Sequence, residues 1–158
     1  MIAIRTILLP TDGSECSGKA ISYSLAFASQ FNARVVGLHV IDQHWEDQTR
    51  HALGEIRLGL HQQARARREE EAREIVEVVA EAGTRMGVTV DTQIVTGTPV
   101  QQILRLAKEL DVDLIIMGTH GRTGFSHFFL GSVAEKVVRQ APCPVLTVHP
   151  SERDFVTS

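Results

Sequence analysis

The sequence predicts an α/β fold in which helices cover both faces of a parallel β-sheet. Residues 7–9 and 114–117 are apolar without alternation, as strands are when both of their faces are buried. Helical patterns, with apolar residues three and four positions apart, lie between consecutive apolar runs. This alternation of strand and helix favours right-handed crossovers within one sheet, and hence a three-layer sandwich.

Five runs rich in aliphatic and β-branched residues predict the strands. They are Thr6–Pro10, residues 34–41, residues 88–95, residues 112–117 and Val145–Val148. The run at 88–95 alternates apolar and polar residues and is the weakest of the five.

Four helical segments connect these strands. The first covers residues 14–31 and begins at Ser14, a residue type that caps helix N-termini. The second lies within residues 51–86, after a loop or frayed lead-in at 42–59. The third begins at Thr98 and Pro99, because proline suits the first helical position. The fourth covers Ser132–Gln140 and ends before Pro142.

Apolar residues at helical spacing predict the face that each helix turns to the sheet. They are Ile21, Leu25 and Ala28 in the first helix, Ile75, Val78, Val79 and Ala82 in the second, Ile103, Leu104, Ala107 and Leu110 in the third, and Val133, Val137 and Val138 in the fourth. The charge-rich residues 65–74 are read either as an interaction surface or as a solvated helix face.

Composition narrows the class of protein. The 158 residues carry a net charge of −3, which argues against a nucleic-acid binder. No repeat or linker is visible, so we expect one domain over residues 1–150 and a mobile polar tail at 151–158. No apolar run reaches the roughly 18 residues of a membrane span. Two distant cysteines and no signal-peptide pattern lead us to expect a cytoplasmic protein.

Ligands of open α/β sheets bind at the carboxyl ends of strands, where strand order reverses. One loop at such a position runs from Pro10 through Thr11 and Asp12 to Ser14. It has one glycine, so it is neither a dinucleotide fingerprint nor a Walker A loop. Asp12 and Ser14 either form a turn and a helix cap, or Asp12 faces a ligand.

The second such loop is rich in glycine and predicts a phosphate cradle. Glycines allow successive amides to point into one concavity. Arg122 adds a positive charge, and Ser132 opens a helix whose N-terminus favours anions. The alternative is a flexible loop in which Ser132 and Glu135 form a capping box. The four glycines are Gly118, Gly121, Gly124 and Gly131.

This loop resembles the nucleotide-binding motif of the universal stress protein family. The match is the spacing Gly118-x2-Gly121-x9-Gly131-Ser132. The segments 7–14, 115–121 and 142–148 are also similar to that family, so the resemblance spans residues 6–148. It implies a Rossmann-like α/β sandwich with a five-stranded parallel sheet in the order 3-2-1-4-5.

The resemblance further implies ATP in the crevice between strands one and four. Asp12 and Val40 would flank the adenine, and Met117 and Gly118 would lie near the ribose. The phosphates would be lined by Gly121, Arg122, Gly131, Ser132 and Val133, with Pro10, Thr11, Thr119 and His120 as neighbours. The family's dimers commonly pair the last strand across a two-fold axis, here Val145–Val148.

We therefore expect an ATP-binding regulatory module whose state a partner protein reads. Residues 118–132 contain no Asp or Glu to hold Mg²⁺ or to orient water, so turnover should be slow or absent. Mg²⁺ or Mn²⁺ would be held mainly by the phosphates, with Ser132 or Asp12 as further ligands. The alternatives are a slow ATPase or phospho- or nucleotidyl-transferase, and a nucleotide-free structural or chaperone-like stress protein.

Histidine and cysteine spacing predicts no protein-held metal site. Apart from His120, which lies in the cradle, the histidines are expected at the surface or in loops; they are His39, His44, His51, His61, His127 and His149. Cys16 falls in the first turn of a helix, where it is either a packed thiol or a redox-active one.

Overall fold

The computed structural model describes residues 1–44, 58–120 and 130–150. Five strands form one parallel sheet in the order β3-β2-β1-β4-β5, with helices on both faces. The fold class and strand order expected from the sequence are thereby confirmed. The elements are β1 (Thr6–Pro10), α1 (Glu15–Phe31), β2 (Arg34–Asp42), α2 (Leu58–Met86), β3 (Val90–Gly97), α3 (Pro99–Glu109), β4 (Leu114–Gly118), α4 (Ser132–Gln140) and β5 (Val145–Val148).

The central strands explain why their sequences show no alternation. In β1, Ile7 and Leu9 pack against α1 and α2, whereas Leu8 packs with Ile103 of α3 and Val137 of α4. All three β1 residues are fully buried. A strand with an apolar core on each face needs apolar side chains at every position.

Three helices end in the same way, and this corrects two of the expected strand starts. Asn32, Gly87 and Asp111 adopt the left-handed conformation at the ends of α1, α2 and α3. The amide of the next residue then reaches back to the last turn, as from Val88 to the Gly83 carbonyl at 2.9 Å. Val88 and Val112 are therefore buried residues of helix ends, and β3 and β4 begin two residues after them.

Some of the expected helix faces are rotated from the buried ones. Val78 and Val138 are 54% and 46% exposed, so both expectations were wrong. In α3, Leu106 is buried and Leu104 is only half-buried. The buried stripes are set by the strands and helices that each helix contacts. They comprise Ala72, Ile75, Val76 and Val79 in α2, and Ala134 and Val137 in α4.

Several expectations lie outside the described residues: the conformation of the tail at 151–158, any helix start between residues 51 and 57, the cradle position of Gly124, and the surface positions of His51 and His127. Within the described part of the chain, no helix is both long enough and apolar enough to span a membrane.

Candidate functional site

A cavity of about 500 Å³ opens at the carboxyl ends of β1, β2 and β4. This size is within the range of roughly 300–1,000 Å³ that is usual for small-molecule sites. The cavity lies at the topological switch point, because the chain adds β2 on one side of β1 and β4 on the other. The N-terminal residues of α4 complete its wall, from Gly131 to Ala134.

The loop after β1 is held by its own side chains. The Ser14 hydroxyl accepts a hydrogen bond from the Ser17 amide at 3.3 Å and so caps α1 as expected. The Asp12 carboxylate accepts from the Ser14 amide at 3.0 Å. Asp12 also lines the cavity, so the turn role and a position facing a ligand hold together at this residue. Thr11, which is buried, donates from its hydroxyl to Ser17 Oγ at 3.1 Å.

Two glycines of the cradle stand where a side chain would collide. A Cβ on Gly131 would lie 2.8 Å from the Thr119 carbonyl oxygen. A Cβ on Gly118 would lie 2.8 Å from Cys16 Sγ. Both distances are below normal van der Waals contact. At these two positions glycine lets β4, α1 and the start of α4 approach one another closely.

Comparison with known proteins gives the chain its family. The sequence profile described as the universal stress protein family matches residues 3–149. Universal stress protein MJ0531 of Methanocaldococcus jannaschii is 33% identical over 150 residues, covering 95% of this chain and 85% of that protein. The chain belongs to the universal stress protein family.

Solved structures of this family share the fold. The structure of the protein MJ0577 of M. jannaschii, solved for assignment of its biochemical function, superposes with a TM-score of 0.80 at 31% identity. It covers 97% of this chain and 99% of that chain. A universal stress protein crystallised with cAMP has a TM-score of 0.69 and 23% identity, covering 95% and 100% of the two chains. At that identity the likeness shows the fold alone.

The structure of this universal stress protein brings together most of the residues that the family motif implied. Two of them, Gly121 and Arg122, lie outside the described residues. The other ten line the cavity; they are Pro10, Thr11, Asp12, Val40, Met117, Gly118, His120, Gly131, Ser132 and Val133. Thr119, expected as a neighbour, lines it as well.

The capping box that belongs to the alternative reading of this loop does not form at the start of α4. Gly131 is the N-cap residue, and no side chain caps this helix end. Ser132 is the first residue inside the helix, so its side chain is one position too late to cap it. Glu135 instead pairs with Arg139 one turn along α4, at 3.1 Å. The alternative of a capped flexible loop therefore loses its specific hydrogen bonds.

His39 is a site residue that sequence reasoning missed. It was expected at the surface, yet it is half-buried on β2 and lines the cavity. Its Nδ1 lies 2.8 Å from the Thr11 carbonyl oxygen. Because a carbonyl can only accept, Nδ1 carries the proton and donates. The signal was absent from the sequence because it depends on the register that pairs Pro10 with Leu38.

Two charged residues of α2, Arg68 and Glu71, also line the cavity. They belong to the charge-rich segment 65–74, for which a solvated face was one of two readings. That reading holds for Arg65 and Glu69, whose Nε and Oε1 atoms lie 3.1 Å apart in a solvent-facing ion pair. Glu71 is exposed as well, and Arg68 is half-buried, although both line the cavity. Sequence periodicity could not separate these faces, because charge surrounds the helix at this level.

The two cysteines are free thiols that differ in burial: Cys16 is buried and Cys143 is half-buried. Cys16 is 4% exposed and donates from Sγ to the Val148 carbonyl oxygen at 3.2 Å, which favours the packed reading over the redox one. Burial raises the pKa of the Cys143 thiol, and the negative charge of Asp113 raises it further.

Proposed function

We propose that this universal stress protein binds ATP and acts as a nucleotide-dependent regulatory module in the stress response. One observation carries the proposal: the cavity meets the N-terminus of α4 at Gly131, where even a methyl group would not fit. The first-turn amides of α4 are free of intrahelical partners and reach the cavity, and such amides bind phosphate groups. The relative crystallised with cAMP supports nucleotide binding as a use of this fold.

In this proposal different cavity residues contact the base, the ribose and the phosphates of the nucleotide. Asp12 and Val40 flank the base, and Met117 and Gly118 contact the ribose. The amides of Ser132 and Val133 bind the phosphates, with Gly121 and Arg122, and Gly131 lines this end of the cavity without a side chain. Val40 gives the cavity apolar surface for a base, whereas the α4 end offers polar amides. The apolar and polar ends thus match the two ends of ATP.

The proposed module holds ATP rather than turning it over. Phosphoryl transfer needs a placed metal ion and an oriented nucleophile. Residues 118–132 contain no carboxylate, so Mg²⁺ or Mn²⁺ would be coordinated mainly by the phosphates themselves. We expect hydrolysis slower than about 1 s⁻¹, the low end for kinases.

The same proposal includes a homodimer in which the β5 strands of two copies pair. β5 is an edge of the sheet, and Val145, Leu146 and Thr147 are uncharged and half-buried. The opposite edge, β3, carries Asp91, which pairs with Arg34 at 3.4 Å. Charge protects an edge strand from pairing, and β5 lacks it. A partner protein would then read the nucleotide state of the dimer.

The test is to identify the nucleotide that copurifies with the protein. Denaturation releases bound small molecules, which ion-exchange chromatography with mass detection identifies and counts. ATP near one per chain supports the proposal, whereas ADP or AMP points to hydrolysis. No nucleotide, together with no thermal shift on addition of Mg-ATP, contradicts it.

A matched pair of variants separates the site from general effects of charge. Gly131→Glu places a carboxylate where the phosphates are proposed to bind, and should abolish copurification of ATP. Gly18→Glu adds the same charge on the exposed side of α1, where nothing lies within 4 Å of a new Cβ. It should retain ATP.

A further inference from the structure

One wall of the cavity consists of polar residues that the family motif did not imply. His39 of β2 and the α2 residues Arg68 and Glu71 all line the cavity. They lie on the same face of the sheet, because a Cβ on Gly37 would be 3.2 Å from Val79 Cγ1 of α2. Side chains alternate between the two faces along a strand, so His39 points to the same face as Gly37. His39 is therefore the residue of β2 that meets this wall.

The backbone next to His39 fixes which nitrogen of its ring carries the proton. Nδ1 lies 2.8 Å from the Thr11 carbonyl oxygen, and this oxygen can only accept. The Thr11 amide donates to the Leu38 carbonyl oxygen at 2.8 Å, which holds Thr11 beside β2. In the neutral imidazole the proton is therefore on Nδ1, and Nε2 presents a lone pair.

The Nε2 atom of His39 is an accessible acceptor. In the part of the chain that the structure describes, no residue hydrogen-bonds to it. The buried side-chain nitrogen and oxygen atoms that lack a partner there are Ser24 Oγ, His61 Nδ1 and His120 Nε2, so His39 Nε2 is not buried. Because His39 lines the cavity, its Nε2 can accept a hydrogen bond from a ligand bound there.

We propose that His39 determines the specificity of the cavity for adenine, by accepting a hydrogen bond at Nε2 from the 6-amino group of the base. This inference rests on the proposed function, in which Asp12 and Val40 flank the base. His39 directly precedes Val40 in β2, and it binds the carbonyl of Thr11, the residue before Asp12. The ring of His39 is thus next to both residues that would flank the base.

The strand order favours the base over the ribose as the partner of His39. β1 lies between β2 and β4. Adjacent strands are about 4.8 Å apart, so the backbone of β2 is about 10 Å from Met117 and Gly118, where the ribose is proposed to bind. The 6-amino group is the only N–H donor of adenine once its N9 carries the ribose. A 6-oxo group, as in guanine, would instead place an acceptor against the Nε2 lone pair.

Titration with ATP and with ITP tests this acceptor. The two nucleotides have the same ribose and phosphates, but ITP has a 6-oxo group where ATP has the 6-amino group. In isothermal titration calorimetry the wild type should bind ATP more tightly than ITP. His39→Asn keeps an amide N–H near the Nδ1 position and removes Nε2. It should lower the ratio of ATP to ITP affinity by about threefold to tenfold, the range for one hydrogen bond, without weakening ITP binding.

Two further variants separate specificity from damage to the fold. His39→Leu removes both ring nitrogens and the bond to Thr11, and should weaken the binding of both nucleotides. His44→Asn changes an exposed histidine that is not a cavity residue, and should leave both affinities at the wild-type level. Urea denaturation of His39→Asn shows whether the hydrogen bond to Thr11 is kept.

A spectroscopic measurement tests the same atom in the wild-type protein. Long-range ¹H–¹⁵N spectra report which nitrogen of an imidazole carries the proton. They should show His39 protonated on Nδ1, with an Nε2 resonance that moves further when ATP binds than when ITP binds. A neutral His39 protonated on Nε2 would overturn the inference.

The outcomes separate this inference from the proposed function. If the wild type binds ATP and His39→Asn keeps the wild-type ratio of ATP to ITP affinity, the inference is overturned and ATP binding stands. Equal affinity of the wild type for ATP and ITP overturns it in the same way. If the wild type binds neither nucleotide, the inference and the proposed function fail together. Loss of ATP affinity with unchanged ITP affinity in His39→Asn supports the inference.

Discussion

The amide of Gly131 donates a hydrogen bond to the Thr119 carbonyl oxygen at 2.7 Å. This bond ties the start of α4 to the end of β4, two sites that are twelve residues apart in the sequence. Gly131 has φ −59, a value open to any residue. Glycine is required here for the close approach and not for backbone conformation.

Gly131→Ala should therefore disturb both stability and binding. Its Cβ would lie 2.8 Å from a backbone oxygen that cannot rotate away. We expect a loss of about 1–3 kcal/mol in the free energy of unfolding, measured by urea denaturation, and weaker ATP binding. Gly18→Ala is the control, since it adds the same methyl group to an open helical position and should stabilise by about 0.5–1 kcal/mol. Equal effects of the two substitutions would contradict the packing argument.

His39 should stabilise the loop that follows β1. Its Nδ1–H donates to the Thr11 carbonyl oxygen across neighbouring strands. His39→Leu removes that donor and should lower the free energy of unfolding by about 0.5–1.5 kcal/mol. ATP affinity should fall as well, because Thr11 and Asp12 line the cavity. His39→Asn keeps an N–H near the Nδ1 position and should behave more like the wild type. An Asn variant no better than Leu would show that the hydrogen bond is unimportant.

Thr147 should supply one of the outward amides of β5 that pair the proposed dimer. The carbonyls of Pro144 and Val148 accept from β4, so the backbone groups of Thr147, at an alternate position, face away from it. Thr147→Pro removes the outward amide without touching the β4 ladder, and should shift the protein toward monomer in sedimentation velocity. Thr147→Val keeps the amide and should remain dimeric. A dimer that survives Thr147→Pro would place the interface elsewhere.

Cys143 should make stability fall in alkaline solution. Burial raises the pKa of its thiol, and Asp113 adds to the shift. The unfolded chain then releases this proton first as pH rises, so the free energy of unfolding declines above about pH 8.5, where a free thiol titrates. Cys143→Ala should remove this part of the decline.

The raised pKa of the Cys143 thiol should also slow its reaction with iodoacetamide in the folded protein, because the thiolate is the reactive form. Asp113→Asn removes a nearby negative charge and should speed the reaction. Alkylation as fast as that of a free thiol would refute the assignment.

Much of the fold could be read from local pattern. The continuous apolar runs of β1 and β4 reported strands buried on both faces, and β5 and α4 have the bounds that the sequence predicted. The glycine spacing indicated two residues that line the cavity, Gly118 and Gly131. These features depend on residues that are close together in the sequence, and so they can be predicted from the sequence alone.

Other features required the tertiary structure. His39 meets Thr11 only because β1 and β2 pair in one particular register, which brings residues 28 positions apart into contact. The buried face of α2 is set by its packing on β2 and β3, so Val76 is buried and Val78 is not. Gly131, rather than Ser132, is the N-cap residue of α4, and its amide bonds across to Thr119. Local pattern was therefore enough to identify the strands and most of each helix. Register, buried face and close contact are properties of packed pairs of elements, so they follow only from how those elements come together.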